Sequence, residues 1–241
     1  MSLAVIMTPA NGKAASSVTI WPVNPVMAHD APATALWLEN HDHHDVLLQI
    51  RVFRWTQGAD GDQFDDQTDI IASPPMATVS PGSRQLIRLM RGTKTPSARE
   101  EAYRVIIDEI PTPDSRPHSA TGAPQIGIQL RYSVPLFVDA SAGFPDQEPS
   151  AGMASKTMQR SLTARVVMRG GKAFLTVRNS GSVHVRLTKV SLGGAVITNG
   201  LLGYVLPHAE MAWPLATGRL NSPLQAVLNG AATTETIPLS Q

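Results

Sequence analysis

The sequence predicts an all-β protein built from two antiparallel β-sandwiches. Short runs of apolar and β-branched residues alternating with polar ones recur along most of the chain, the period-2 pattern of half-buried strands. Turn chemistry separates them, with 19 Pro and 18 Gly among 241 residues. No segment carries a helical apolar stripe longer than a turn or two. The length suits one large or two small domains and can bury a core without disulfide staples.

Residues 1–17 read as a disordered leader or the remnant of a secretory signal, with small residues Ala14, Ala15 and Ser16 near a cleavage point. Residues 18–21 (Val-Thr-Ile-Trp) are β-rich but run into Pro22 and Pro25, which confines them to an edge or a broken strand. Residues 34–38 alternate and stop at Glu39-Asn40. Residues 46–55 form a long strand with Leu48, Ile50, Val52 and Arg54 on one face and Leu47, Gln49, Arg51, Phe53 and Trp55 on the other. Residues 58–62 are a turn cluster, and 69–72 a short strand halted by Ser73-Pro74-Pro75. Residues 76–79 lead to the Ser80-Pro81-Gly82 turn, followed by an alternating strand at 85–90 and another at 102–110. After a polar loop at 112–125, residues 126–138 alternate cleanly: Ile126, Ile128, Leu130, Tyr132, Val134 and Leu136 share a face. Residues 140–155, rich in Ala, Ser, Gly and Pro, are the expected linker between domains at 18–139 and 156–241. Beyond it strands are expected at 162–168, 173–177, 183–192, 203–206, 212–215, 224–228 and 234–239, with no sequence repeat relating the halves.

Composition excludes several chemistries. There is no cysteine, so thiolate metal sites and cysteine nucleophiles are absent. A net charge of +1 gives no electrostatic footprint for nucleic acid. No apolar run is long enough to span a bilayer as a helix. Nucleophile-elbow, P-loop, dinucleotide and zincin motifs are missing. Glu100-Glu101 and Asp108-Glu109 are adjacent carboxylates, but strand neighbours face opposite sides and cannot share one cleft as acid and base. The cluster His41-Asp42-His43-His44-Asp45 has metal-ligand types at short spacing, yet it falls between strands where Asn40 and Asp42 suit a turn. A metal carrier using it is the alternative reading. The methionines show no paired spacing, which favours gap-filling over metal binding.

Four segments together resemble the PapD-like periplasmic chaperones that assemble pili. They are residues 70–89, with a Pro-rich stretch, a Pro-Gly turn and a strand carrying Arg88; residues 99–111, Arg-Glu-Glu-Ala-Tyr-Arg through Asp-Glu-Ile-Pro; the alternating strand at 126–138; and, less specifically, Val177-Arg178-Asn179-Ser180-Gly181 with Tyr204-Val205-Leu206-Pro207. The run Arg51-Val52-Phe53-Arg54-Trp55 is similar to the archaic branch. The resemblance implies two immunoglobulin-like domains in an L-shape, a periplasmic location, no enzyme activity and no cofactor or metal. The implied partners are pilin subunits and an outer-membrane usher, with neither nucleic acid nor small-molecule substrate, and a self-capped dimer when free.

The implied mechanism is donor-strand complementation: the chaperone lends a β-strand to a subunit that lacks one. Ile126, Ile128, Leu130 and Tyr132 are the implied donor residues. Alternation alone leaves open whether this face fills a subunit or the chaperone's own core. Arg88 and Glu100 match an inter-domain ion pair whose third member falls near uncharged Asn229. The family's cleft bases, which anchor a subunit's terminal carboxylate, fall near Asn24 and Pro135. Neither is basic, and nearby Arg131 is the candidate anchor.

Overall fold

The computed structural model describes residues 18–28, 30–58, 61–92, 100–112, 129–138, 161–215 and 223–239. The expected leader and linker lie outside them. The elements these residues form are β-strands. The first ten are β1 (Val18–Trp21), β2 (Val26–Met27), β3 (Ala33–Asn40), β4 (Val46–Gly58), β5 (Gly61–Asp65), β6 (Ile70–Ser73), β7 (Met76–Val79), β8 (Arg84–Arg91), β9 (Glu101–Ile110) and β10 (Arg131–Val138). They build sheet A, in the order β1-β3-β8-β6, and sheet B, in the order β2-β10-β9-β4-β5 with β7 also on β4. The remaining strands are β11 (Leu162–Arg169), β12 (Lys172–Asn179), β13 (Val185–Leu192), β14 (Ala195–Val205), β15 (Glu210–Leu215), β16 (Leu224–Leu228) and β17 (Glu235–Ile237). They build sheet C, β11-β12-β15, and sheet D, β14-β13-β16-β17. No sheet mixes the two sets.

Alternation places the cores. In the first sandwich Leu36, Leu38, Leu48, Ile50, Ile87, Leu89, Val105 and Ile107 point inward and are buried together. In the second, Leu175, Val177, Leu187, Val205, Leu224 and Leu228 do the same. Each such side chain contributes about 1.5–3 kcal/mol on burial. The Pro-interrupted first strand is an edge, as its prolines require: β1 pairs with β3 in sheet A, and β2 then crosses to sheet B.

A relation between the halves that sequence comparison does not reveal is a buried asparagine ending β3 in the first sandwich and β12 in the second. Asn40 Nδ2 donates to the carbonyls of His44 and Val79, both at 2.8 Å, while its Oδ1 accepts the Asp42 amide. Asn179 Nδ2 donates to Val183 and Val205 at 2.7 and 3.1 Å, and its Oδ1 accepts the Gly181 amide. Each amide satisfies loop and strand groups that burial would otherwise leave unpaired.

Three strand assignments differ from expectation. β5 continues the Gly58–Gly61 hairpin through exposed Asp62, Gln63, Phe64 and Asp65, so no burial pattern marks it. β2 is two residues long. β14, expected only over 203–206, begins at Ala195 and runs through Asn199-Gly200; register shifts against β13 absorb the irregularity.

Candidate functional site: an open strand edge beside the joint of the sandwiches

β10 pairs with β9 along its length, from Arg131 opposite Asp108 to Val138 opposite Glu101. On its other side β2 covers only Phe137 and Val138. The Glu109 amide donates to the Leu130 carbonyl at 3.0 Å, so even residues aim their backbone groups at β9 and odd residues aim theirs outward. The Phe137 amide, donating outward to Pro25 at 3.2 Å, agrees. The N–H and C=O of Arg131 and Ser133 therefore face a side with no partner strand among the described residues. Pro135 falls on the same side, where its missing N–H costs the β9 ladder nothing and brings the open stretch to an end.

The even side chains face inward. Val134, Leu136 and Val138 belong to the first core, and half-buried Tyr132 packs against it. Burial pushes the Tyr132 phenol up, opposed by the Val18 amide at its hydroxyl. Of the four expected donors, Ile126 and Ile128 lie outside the described residues. Leu130 is half-buried just before β10, and Tyr132 lines the chain's own sandwich.

The odd side chains share the outer face of sheet B with Arg51, Phe53, Arg104 and Asp108. Asp108 accepts from Arg51 Nη2 at 2.7 Å and from Arg131 Nε. Burial alone would raise its carboxyl, but the two guanidinium hydrogen bonds outweigh that and hold it below the usual carboxylate range. Arg131 is thus exposed and already partnered. Arg104, which the sequence does not single out, lies directly across from Pro135. Its guanidinium lies 3.7 Å from the Trp55 ring centroid and 5.7 Å from that of Tyr204. Its buried Nε has no hydrogen-bond partner. Among the described residues no carboxylate forms an ion pair with it. Desolvation lowers its pKa against the pull of Asp62 and Tyr204. No signal in the sequence separates Arg104 from an ordinary strand arginine, because its isolation depends on what packs over it.

The joint lies beside this arginine. Trp55, Ala102 and Phe137 meet Tyr204, Leu206 and Ala209 in one buried cluster. The His184 ring stacks on Phe137 with centroids 3.4 Å apart and planes at 4°, and Trp55 meets Tyr204 edge-on. Gln57 donates to the Tyr204 carbonyl at 3.0 Å and accepts the Leu206 amide at 2.8 Å. Glu100, its side chain 3% exposed, accepts the His184 amide at 2.8 Å and faces His184 Nδ1 at 2.9 Å.

The structure does not bring Arg88 to Glu100. Ile87 and Leu89 are buried, so alternation puts Arg88 on the exposed outer face of sheet A, opposite Ala35 and Ser73. Glu100 reaches the second sandwich, but its partner is His184. Asn229 accepts the Arg186 amide in a turn with φ of 48° and takes no part in that contact. In the histidine cluster, His41 lies 3.9 Å from Glu39 and His44 3.5 Å from Asp42, splayed along the turn that Asn40 organises. No three His, Cys, Asp or Glu side chains converge on a metal position among the described residues.

Residues 17–142, more than half of the chain, match the family model of the pili and flagellar-assembly chaperone, PapD N-terminal domain. No curated protein matches the sequence. Among solved structures, the chain is similar to one in the CsuC-CsuE chaperone-tip adhesion subunit pre-assembly complex from archaic chaperone-usher Csu pili of Acinetobacter baumannii. Identity is 29%, the TM-score 0.71, and coverage 93% of this chain and 100% of that one. It shares its fold with a chain of the Salmonella enterica SafA pilin–SafB chaperone complex at 18% identity, TM-score 0.65 and coverage of 93% and 97%. The E. coli chaperone DraB gives 16% identity, TM-score 0.61 and coverage of 94% and 98%. The match runs through both sandwiches. With sheets, open edge and family model in agreement, the chain belongs to the immunoglobulin-like pilus-assembly chaperones of the PapD family.

Proposed function

We propose that this chain works in the periplasm, holding pilus subunits by lending them the edge of β10 and delivering them to an outer-membrane usher. The observation that carries the reading is the row of outward backbone groups at Arg131 and Ser133, ending at Pro135. A subunit lacking one strand exposes both a groove edge and an unfilled core. Pairing with β10 satisfies the edge, and apolar side chains upstream of the chaperone's own core fill the groove. Ile126, Ile128 and Leu130 are the proposed donors. Tyr132 marks the point where the same face turns into the first sandwich.

Arg104 suits a subunit's terminal carboxylate better than Arg131 does, because it is desolvated, forms no ion pair among the described residues and sits across from the proline where added pairing ends. Without a subunit, the same edge favours a self-capped dimer.

Coexpression with a pilin-like subunit tests the reading. Ser133→Pro removes one outward N–H and leaves the β9 ladder intact, and Ile128→Asp with Leu130→Asp empties the groove of about 1.5–3 kcal/mol per side chain. Both variants should fold and lose subunit copurification, whereas Val134→Asp should unfold and Gln129→Ala should behave as wild type. Normal capture by both folded variants would exclude strand donation through this segment.

A further inference from the structure

We propose that the outer face of sheet C binds a phosphate-type oxyanion between the Thr176 hydroxyl and the Arg178 guanidinium, a site separate from the subunit edge. β12 is the middle strand of this sheet. Leu175 and Val177 are buried in the second core, so Phe174, Thr176 and Arg178 point outward, alongside Thr163 and Arg165 of β11 and Glu210 of β15. Lys172 and Arg169 lie on the same face. It carries four cations and one carboxylate among the described residues.

Thr176 is anomalous there. It is 1% exposed although it faces outward, and its hydroxyl has no hydrogen-bond partner. A buried hydroxyl left unpaired destabilises the fold, and an apolar side chain of the same shape would avoid that cost. Thr176 lines a concavity of about 70 Å³ together with Thr163, Arg165, Arg178 and Glu210. One Arg165 nitrogen spans both Glu210 oxygens at 2.9 and 3.1 Å, so that carboxylate's charge is already met. Arg178, the cross-strand partner of Glu210, has no ion pair among the described residues. Thr176, with its unpaired buried hydroxyl, and Arg178 thus line one hollow whose lining carries one net positive charge, which suits a charge-assisted hold on an oxyanion once the hydroxyl turns toward it. A water takes about 30 Å³ of liquid, so the hollow is sized for a single anionic head. The head comes from free phosphate or from an anionic phospholipid, toward which Arg169 and Lys172 extend the basic face.

The test uses the full chain, with calorimetric titration and thermal melting in sodium phosphate against sodium chloride at matched ionic strength. Phosphate should bind the wild type and raise its melting temperature. Thr176→Val and Arg178→Gln should each weaken binding by about tenfold or more. Without phosphate, Thr176→Val should melt at or above the wild-type temperature, separating loss of the site from loss of the fold. Cosedimentation with phosphatidylglycerol vesicles, and not phosphatidylcholine vesicles, identifies a lipid headgroup; phosphate binding without vesicle binding identifies the free anion. Absence of binding in both arms, or binding and melting shifts equal in wild type and both variants (an adventitious ion only), overturns the proposal.

Discussion

Glu100→Ala should be among the most damaging single polar substitutions in this chain. Its carboxylate is almost fully buried and accepts two contacts from His184, the backbone amide at 2.8 Å and Nδ1 at 2.9 Å. Hydrogen bonds to charged groups contribute about 1.5–3 kcal/mol each. Removing the acceptor also strands the His184 amide at a buried joint. The expected loss is about 3–5 kcal/mol. Glu100→Gln keeps one acceptor and should lose about 1–2 kcal/mol. His184→Ala removes the ring contact and the stack on Phe137 but keeps the amide bond, so its effect and that of Glu100→Ala should couple by about 1–2 kcal/mol in a double-mutant cycle. Urea unfolding followed by tryptophan fluorescence suits the measurement, because Trp55 sits in the cluster that opens when the sandwiches part. Each transition is fitted separately, since two sandwiches need not unfold together. Arg88→Ala, on an exposed face, should change stability by no more than about 0.5 kcal/mol. Additive effects of Glu100→Ala and His184→Ala, or an Arg88→Ala loss as large as that of Glu100→Ala, would refute the His184 pairing.

Three further outcomes are expected. Arg104→Gln should reduce subunit copurification while the protein stays folded, and Arg104→Met should match or exceed wild-type stability in urea, because an unpaired, partly desolvated cation is replaced by an apolar side chain. Asp108 is depressed in the folded state, so its contribution is present above the unfolded carboxyl value of about 3.9 and fades as pH falls through the lower folded value; acid titration of Asp108→Asn should show a flatter stability profile in that window. Asn179→Asp replaces a donor facing the Val183 and Val205 carbonyls with an acceptor and should lower the melting temperature clearly, with urea unfolding reporting a loss of about 2–4 kcal/mol.

The strand pattern and the all-β class were legible because alternation is a local property. A strand half-buried between core and water writes its two faces into consecutive residues, and Leu48 and Ile50 against Arg51 and Phe53 read off directly. Where a strand lacks a buried face, as in β5, or carries turn residues within a paired ladder, as in β14, the local signal fails and only cross-strand bonding defines the element. The candidate site divides in the same way. Residues 126–138 announced an alternating strand. Which side of β10 stays open, that Tyr132 already belongs to the first core, that Asp108 occupies Arg131 and that Arg104 is left over between Trp55 and Tyr204 all depend on sheet order and register. The exchange of Arg88 for His184 as the partner of Glu100 has the same origin. By itself the sequence determined which residues share a strand face, since that needs only the alternation of neighbouring side chains. Only the tertiary structure decided which outward residues meet, because those contacts join positions 84 residues apart for Glu100 and His184 and 147 apart for Gln57 and Tyr204, beyond any local pattern.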